Sequence, residues 1–258
     1  MTRDDVPGAE RTIGSLLALM SHDLRNPLSV LLTNVGYLES VLAQGDVAEA
    51  REVLGDLAIA CDTLAKYVSN LDTLAASLGR RALLPGRASV VDVVRSAVLA
   101  AKLPFQQQRL EADVLIAEGC ADLFVDAELA ARAIESLLSN AATFAPEGSV
   151  VSIHAAMLPL ERVRITVSDA GVPLPPEHRR LAFTEAGQEA LQRDASSRYG
   201  RGLGLLVVGV VARRLGGSID APPRATGCKF ELELPSAPPD SAPDSAGERQ
   251  MDPRTLSS

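Results

Sequence analysis

The chain has 258 residues, more than one average domain and too few for three well-packed ones, so we expect two domains. Hydrophobic residues make up 47% and aromatic residues only 3%, which indicates a globular protein whose cores are built from Leu, Val and Ala and are largely helical. The formal net charge of −8 argues against a nucleic-acid binder, because neutralising a phosphate backbone needs clustered Lys and Arg.

The sequence indicates neither a zinc site nor a membrane span. Cys61, Cys120 and Cys228 are far apart and form no CxxC pair, so we expect reduced thiols in the cytoplasm. No run approaches the roughly 18 apolar residues that a span requires, and residues 1–12 form a polar arm without a secretion signal. We expect a cytoplasmic protein that receives its signal from this arm, from a separate sensor protein or from a region outside this chain.

Apolar residues at helical spacing predict two long helices in residues 13–79. The first stripe covers residues 13–42 and the second residues 53–78; Gly45 ends the first helix, and Asp46 with Glu49 predicts a capping box for the second. Helices of about 30 residues are roughly 45 Å long and form an antiparallel hairpin. Because such a hairpin cannot bury both stripes alone, we predict a homodimer with a four-helix bundle.

The pattern changes after residues 80–86, a segment rich in Gly, Pro and Arg that we predict to be a hinge. Helical periodicity predicts helices at residues 90–101, 127–142 and 203–215. Alternation and short apolar runs predict strands at residues 110–116, 123–125, 150–156, 162–168 and 228–234. Residues 87–235 are therefore predicted to form an α+β sandwich, so the fold class is α plus α/β in two domains. Residues 236–258, rich in Pro, Ser and Asp, are predicted to be a disordered tail.

Residues 21–28, SHDLRNPL, place a polar group inside the first helix. The i, i+4 spacing puts His22 and Asn26 on one face with Asp23 beside them. A neutral imidazole is a good nucleophile toward a phosphoryl group, and a neighbouring carboxylate can hold its tautomer and accept its proton. Pro27 predicts a local kink. An isolated His-Asp pair is more often surface decoration, so the wider context has to decide.

The whole segment, on a long helix followed by a second long helix, resembles the phosphoacceptor motif of sensor histidine kinases of two-component systems. The resemblance implies that His22 accepts the phosphoryl group, that Asp23 is its acid/base partner and that Asn26 orients a water for dephosphorylating the partner. It also implies that this partner is the receiver domain of a response regulator.

Residues 137–148, LLSNAATFAPEG, resemble the N box of the ATP-binding domain in the same family, a domain of the gyrase and histidine kinase type. Alone, Asn140 could be a hydrogen-bonded core amide. The resemblance implies that Asn140 binds the Mg²⁺ held by the ATP phosphates, and an amide oxygen with phosphates is a suitable ligand set for Mg²⁺. Ser136 and Thr143 stand where the family often has Asn and Lys, so we expect weaker ATP binding.

Two glycine-containing segments follow. Asp169 and Gly171, directly after a strand, could form only a turn, but they resemble the family's first glycine box, whose aspartate accepts a hydrogen bond from the adenine amino group. Pro173 replaces its second glycine and should stiffen the start of the nucleotide lid. GRGLGL at residues 200–205 resembles the second glycine box, at a predicted helix N-terminus suited to phosphate. The resemblance implies that this box binds the nucleotide through Gly200, Gly202, Leu203 and Gly204.

The segment between Pro175 and Tyr199 is long and polar and is predicted to be a mobile lid anchored by Phe183. Arg198 or Arg201 could approach the γ-phosphate, although both could equally be solvated charges. His154 and His178 have no identifiable partners and are predicted to be structural and surface residues, respectively.

These features together predict an ATP-dependent protein-histidine kinase. One alternative is a relay protein, either a histidine phosphotransferase or a response-regulator phosphatase. Its ATP site would be degenerate, as Ser136, Thr143 and Pro173 suggest. Another is an ATPase or serine kinase of the same superfamily, which the SHDLRNPL helix opposes. The sequence leaves open whether phosphorylation occurs within one chain or between two chains, because that depends on the turn at residues 44–46.

Overall fold

The computed structural model describes residues 6–78, 83–120, 122–179, 181–193 and 203–238. Its first part is an antiparallel hairpin of α1 (Val6–Gln44) and α2 (Val47–Leu78). Helix α1 continues through Pro27 and begins earlier than predicted, so residues 6–12 belong to the helix rather than to a separate arm. Among the described residues, no helix is both long and apolar enough to cross a membrane.

The turn between the two helices is built as the sequence predicts, with one difference. Gly45 has φ +77°, a left-handed conformation that favours glycine, and the Asp46 carboxylate accepts hydrogen bonds from the N–H groups of Ala48 (3.1 Å) and Glu49 (3.0 Å). The Glu49 carboxylate accepts a hydrogen bond from the Tyr37 hydroxyl of α1. Only half of the predicted capping box therefore forms, and Glu49 instead ties the two helices together.

The seam of the hairpin covers only part of its apolar surface. Buried apolar positions lie three or seven residues apart along α2, with half-buried leucines between them, and this spacing keeps one face against α1. The buried apolar positions are Ala50, Val53, Ala60, Tyr67 and Leu74, and the half-buried ones are Leu57, Leu64 and Leu71. On α1, by contrast, Leu28, Val35 and Leu42 of the predicted stripe are 49%, 51% and 61% exposed. The described chain thus leaves a long apolar surface uncovered.

The second part is a two-layer α/β domain whose main layer is a five-stranded mixed sheet. In chain order its elements are β1 (Gly86–Ala88), α3 (Val90–Ala100), α4 (Lys102–Gln107), β2 (Glu111–Ile116), β3 (Leu123–Val125), α5 (Ala127–Phe144), β4 (Val150–Leu158), β5 (Arg162–Asp169), α6 (Glu185–Arg193), α7 (Gly204–Arg214), β6 (Ser218–Asp220) and β7 (Cys228–Pro235). The sheet order is β2-β4-β5-β7-β6; β2 pairs parallel to β4, and the other pairs are antiparallel. A separate antiparallel pair joins β1 to β3.

The two faces of the sheet differ in the way the alternating sequence predicts. Every second residue of β4, β5 and β7 is buried against the helices, and Phe230, Leu232 and Leu234 of β7 are fully buried. The opposite face is polar: Arg164 on β5 pairs with Glu233 (2.6 Å) and Glu231 (3.5 Å) on β7. This face meets solvent, so the functional groups that need burial lie on the helical side.

Helices α3, α5 and α7 form the covering layer, with α5 in the middle. Ser89 caps α3 through the Asp92 N–H, and Asp126 caps α5 through the Leu129 N–H at 3.2 Å. Ala133, Ile134, Leu137, Leu138 and Ala141 of α5 are fully buried. Replacing one such leucine by alanine typically costs about 2–5 kcal/mol, so this helix is fixed firmly in the layer.

The structure corrects several predicted boundaries. Gly86 belongs to β1 rather than to the hinge, and β1, α4 and α6 were not predicted. Ser236, assigned to the tail, donates its N–H to the Glu161 carbonyl at 2.9 Å and still follows β7. The rest of the predicted disordered tail, residues 239–258, lies outside the described residues.

The two parts contact each other along α2. Leu74 of α2 is 3% exposed and belongs to the same apolar cluster as the core of the α/β domain. The Arg214 guanidinium at the end of α7 donates to the Ser77 carbonyl at 2.6 Å, and Gln107 donates to the Asp62 carboxylate at 3.0 Å. A cation near the last carbonyls of a helix is electrostatically favourable, so this contact stabilises the docked arrangement.

Candidate functional site

Helix α5 carries two polar residues one turn apart on the side that faces α7. The Ser136 hydroxyl donates to the Gly204 carbonyl at 3.2 Å, so the first residue of α7 lies directly against α5. The Asn140 side chain is partly exposed, yet its Nδ2 atom is buried and makes no hydrogen bond to any described residue. A buried amide without a partner costs free energy, which indicates that a group outside the described chain satisfies it.

The N-terminus of α7 has no side-chain cap from the described residues. Leu203 precedes the helix in a left-handed conformation with φ 55°, and within the described chain no side chain caps the first turn. The first N–H groups of a helix lack intrahelical partners and carry a partial positive charge, which favours an anion such as phosphate. Leu203 itself is fully buried and so contributes backbone rather than side chain to the site. Gly200 and Gly202 lie outside the described residues.

The turn after β5 packs against the other end of α5. Asp169 is 6% exposed, and the Gly171 N–H donates to its Oδ1 at 2.7 Å. A Cβ on Gly171 would lie 2.8 Å from the carbonyl oxygen of Phe144, the last residue of α5, and therefore only glycine fits there. Burial raises the pKa of the Asp169 carboxyl, an effect opposed by the Gly171 and Cys228 N–H groups and by Arg224. Asp169 thus presents a desolvated acceptor beside the end of α5.

Defined contacts are also made at two positions where this chain departs from the family pattern, Thr143 and Pro173. The Thr143 hydroxyl donates to the Ser139 carbonyl of its own helix at 2.9 Å, so it is turned back rather than directed outward. Pro173 is partly buried, and Val172 just before it accepts a hydrogen bond from the Cys228 thiol at 3.2 Å. The hydrogen bond from Cys228 to Val172 therefore holds the start of the lid near the sheet, in addition to the restricted φ angle of Pro173.

The lid has a folded base, which we call the lid foot (residues 181–188). Phe183 is 4% exposed and meets Phe230 edge to face, with ring centroids 6.1 Å apart at 88°. Gly187 and Gly209 allow this close packing: a Cβ on Gly209 would lie 2.8 Å from Phe183 Cβ, and one on Gly187 2.6 Å from Leu181 Cβ. The predicted anchoring role of Phe183 agrees with this geometry.

Helix α6 continues from the lid foot and corrects the prediction of an irregular lid. Thr184 accepts the Gly187 N–H at 3.1 Å and so caps the helix, while the fully buried Gln188 donates to the Ala182 carbonyl at 2.7 Å. Helix α6 also lies against α1. Residues 194–202, which include Arg198 and Arg201, are outside the described chain.

The predicted phosphoacceptor segment lies within α1. His22 and Asp23 are helical, but their side chains are outside the described part of the chain. Asn26 is exposed and Pro27 is buried in the seam with α2. His154 is exposed on the polar face of the sheet rather than buried as a structural residue, and His178 is partly buried in the turns before the lid foot rather than fully at the surface.

The structure brings Asn140, Asp169, Gly171, Leu203 and Gly204 together around the C-terminal half of α5. Sequence reasoning missed Ser136 as a contact in this group, because its partner lies 68 residues away in the chain. It also missed α6, which is short and polar overall and has Leu191 as its one large apolar residue.

Comparison with known proteins gives concordant results. Residues 125–238, from the end of β3 through β7, match the family of histidine kinase-, DNA gyrase B-, and HSP90-like ATPases. The chain is 30% identical over 245 residues to the signal transduction histidine-protein kinase/phosphatase MprB of Mycolicibacterium paratuberculosis, with 90% of this chain and 45% of the relative covered. The chain thus spans less than half the length of this relative.

Two solved structures share the fold. Histidine kinase ThkA in complex with response regulator protein TrrA has a TM-score of 0.64 and 18% identity, and covers 92% of this chain and 68% of that one. Full-length ShkA in complex with AMPPNP has a TM-score of 0.57 and 22% identity, and covers 85% of this chain and 45% of that one. The likeness extends over both the hairpin and the α/β domain.

Proposed function

The chain belongs to the sensor histidine kinases, and we propose that it phosphorylates its own His22 from Mg²⁺·ATP and then transfers the phosphoryl group to an aspartate of a response-regulator receiver domain. The observation that carries this proposal is the meeting of three separate nucleotide motifs on one helix. Ser136 contacts Gly204, and Phe144 contacts Gly171, at the two ends of a single stretch of α5 with Asn140 between them. The site is thus assembled for one nucleotide rather than being three unrelated turns.

Each group in this site has a role that suits its chemistry. Asp169 accepts a hydrogen bond from the adenine amino group, and Gly171 lets the backbone come close to the base. The N-terminus of α7, with Leu203 and Gly204, binds the phosphates through backbone N–H groups. Gly200 and Gly202 of the same motif, which lie outside the described residues, are proposed to take part. The complex of a structural neighbour with AMPPNP, an ATP analogue, supports the choice of nucleotide.

The residues present fit a phosphate-held Mg²⁺. Among the described residues no group of three His, Cys, Asp or Glu side chains could hold a metal ion, so the protein alone offers no full coordination set. The buried Asn140 Nδ2 has no acceptor among the described residues and fits a phosphate oxygen, while the amide oxygen of the same side chain would bind Mg²⁺ together with oxygens of the phosphates. Bound Mg²⁺ neutralises phosphate charge. Asn140 therefore orients the metal-bound phosphates rather than forming a metal site by itself.

The proposed chemistry at His22 is a direct phosphoryl transfer. A ring nitrogen forms a bond to the γ-phosphorus while the bond from that phosphorus to the β,γ-bridging oxygen breaks and ADP leaves. The proton on the second ring nitrogen passes to Asp23. Asn26 has no part in this step; it orients a water later, when the phosphorylated regulator is hydrolysed. A receiver aspartate then attacks the phosphorus and the N–P bond breaks. The regulator bound to the neighbour ThkA supports this partner.

We further propose that the chain acts as a homodimer in the cytoplasm, where ATP is available. The hairpin exposes large apolar side chains, which two helices alone leave uncovered: Leu28, Leu32, Val35, Leu42, Ile59 and Val68. A second hairpin would cover them in a four-helix bundle. A measured mass in solution of twice 27.1 kDa checks the dimer, whereas a mass of 27.1 kDa contradicts it.

Incubation with ATP labelled on its γ-phosphate and Mg²⁺ tests the kinase proposal. Wild-type protein and His154→Ala, a control on the exposed sheet face, are expected to take up acid-labile label, and His22→Ala is expected to take up none. Acid-stable label on serine would support a serine kinase instead.

The relay alternative remains the second candidate because Thr143 turns its hydroxyl to its own helix and offers no positive charge to the phosphates. Absence of label on the wild type, together with His22-dependent transfer from a phosphorylated receiver domain, would favour that alternative over the kinase.

A further inference from the structure

Ser136 links the two helices that hold the proposed nucleotide site. The residue is 9% exposed, and its hydroxyl donates to the Gly204 carbonyl at 3.2 Å. Ser136 lies one turn before Asn140 on α5, and Gly204 is the first residue of α7. One hydrogen bond thus joins the helix that carries Asn140 to the helix end that receives the phosphates.

The same contact is sterically tight. A Cβ on Gly204 would lie 3.2 Å from the Ser136 hydroxyl oxygen, closer than an ordinary van der Waals contact. Asparagine, the residue that the family often has at this position, extends further from the backbone than serine. Little free space is therefore left between Ser136 and Gly204, and a carbon added at position 204 would displace α7 from α5.

We propose that Ser136 is a positioning residue that sets the distance between Asn140 and the N-terminus of α7 and thereby the affinity for nucleotide. The inference rests on the proposed ATP-binding function. It reverses the expectation that serine at this position marks a weakened site: here serine completes the contact, and restoring asparagine harms it. A bound phosphate needs both the amide of Asn140 and the α7 N–H groups at fixed positions, so a shift of α7 weakens binding.

The test measures dissociation constants for a fluorescent ATP analogue with Mg²⁺ on the full chain. Ser136→Ala removes one hydrogen bond and is expected to weaken binding about fivefold, the usual worth of such a bond. Ser136→Asn overpacks the contact and is expected to weaken binding about tenfold or more. Ser96→Ala, an exposed serine on α3, is the matched control and is expected to bind as wild type.

A second readout separates positioning from a general loss of stability. Loss of this one hydrogen bond should lower the melting temperature of Ser136→Ala without nucleotide by only about 2–4 °C. The rate of His22 labelling at saturating ATP should match that of the wild type, while KM rises. Gly204→Ala should bind nucleotide poorly, and adding Ser136→Ala to it should recover part of the loss, because the 3.2 Å contact is relieved.

The outcomes distinguish this inference from the proposed function. Wild-type protein that binds no nucleotide overturns both. Two results overturn the positioning role alone, provided that the wild type binds nucleotide. In the first, Ser136→Ala and Ser136→Asn bind as well as the wild type; in the second, Ser136→Asn binds more tightly.

Discussion

Gly209, in the middle of α7, provides a direct test of how the lid foot is held. Glycine within a helix is normally unfavourable, and replacement by alanine should stabilise a helix by up to about 1 kcal/mol. At Gly209, however, an added Cβ would overlap the Phe183 carbonyl oxygen and lie 2.8 Å from Phe183 Cβ. Ordinary carbon–carbon contacts are about 3.5–4.0 Å, so the Phe183 backbone must move by roughly 1 Å.

The expected magnitude follows from these opposing effects. Overpacking of a core typically costs about 1–3 kcal/mol, and the edge-to-face contact of Phe183 with Phe230 adds about 0.5–1.5 kcal/mol if it is lost. After subtraction of the propensity gain, Gly209→Ala should destabilise the protein by about 2 kcal/mol. For a protein of this size that corresponds to a melting temperature about 4–8 °C lower.

The assay compares thermal melting of Gly209→Ala with that of Gly55→Ala. Gly55 is also helical, but a Cβ there meets nothing within 4 Å, so this variant should melt at or slightly above the wild-type temperature. Limited trypsin digestion should also cut residues 175–193 faster in Gly209→Ala, because the lid foot is displaced. If Gly209→Ala melts like Gly55→Ala and resists trypsin like the wild type, the inferred packing of Phe183 under α7 is wrong.

Three further predictions concern charge and docking. Asp169→Asn keeps an acceptor for the Gly171 N–H but loses the adenine contact, so nucleotide binding should disappear. Burial raises the pKa of Asp169, so ionisation of this carboxyl destabilises the folded state above that pKa and the penalty vanishes as the pH falls below it. The variant, which carries no such charge, should therefore melt no lower than the wild type at pH 8. Burial likewise raises the pKa of Glu135 against the opposing Arg132, so Glu135→Gln should raise the melting temperature at neutral pH, with the gain lost as the pH falls through the Glu135 pKa of the folded state. Arg214→Met removes the donor to the Ser77 carbonyl, so trypsin should cut residues 79–82 faster in this variant. The control is Arg213→Met, which changes the exposed neighbouring arginine. Equal cleavage rates in the two variants would contradict the role of Arg214 in docking α2 against the α/β domain.

Much of the fold follows from periodicity that the sequence displays openly. The apolar stripes of α1 and α2, the alternation in β4, β5 and β7, and the strong helix around Asn140 needed only local spacing to be recognised. The boundaries were less secure, as Gly86 in β1 and the early start of α1 illustrate. The start of β1 is decided by strand pairing with a distant residue, because Gly86 pairs with Val125.

Helix α6 shows why other elements could not be predicted. Its sequence is polar and contains Gly187, which lowers helix propensity. The helix depends on the Thr184 cap, on the burial of Gln188 and Leu191, and on the close approach of Gly187 to Leu181. The burial of Gln188 and Leu191 depends on tertiary packing, which the local sequence does not display.

The sequence by itself determined the two-part architecture and the identity of the residues at the proposed site, because motif spacing and hydrophobic period are local properties of the chain. Only the tertiary structure decided how those residues meet. The approach of Gly171 to the end of α5 and of Ser136 to Gly204 is fixed by the packing of α5 beside α7 and against the sheet. Ser136 therefore changed from a sign of erosion to a structural contact, because its hydrogen-bond partner is brought near only by folding.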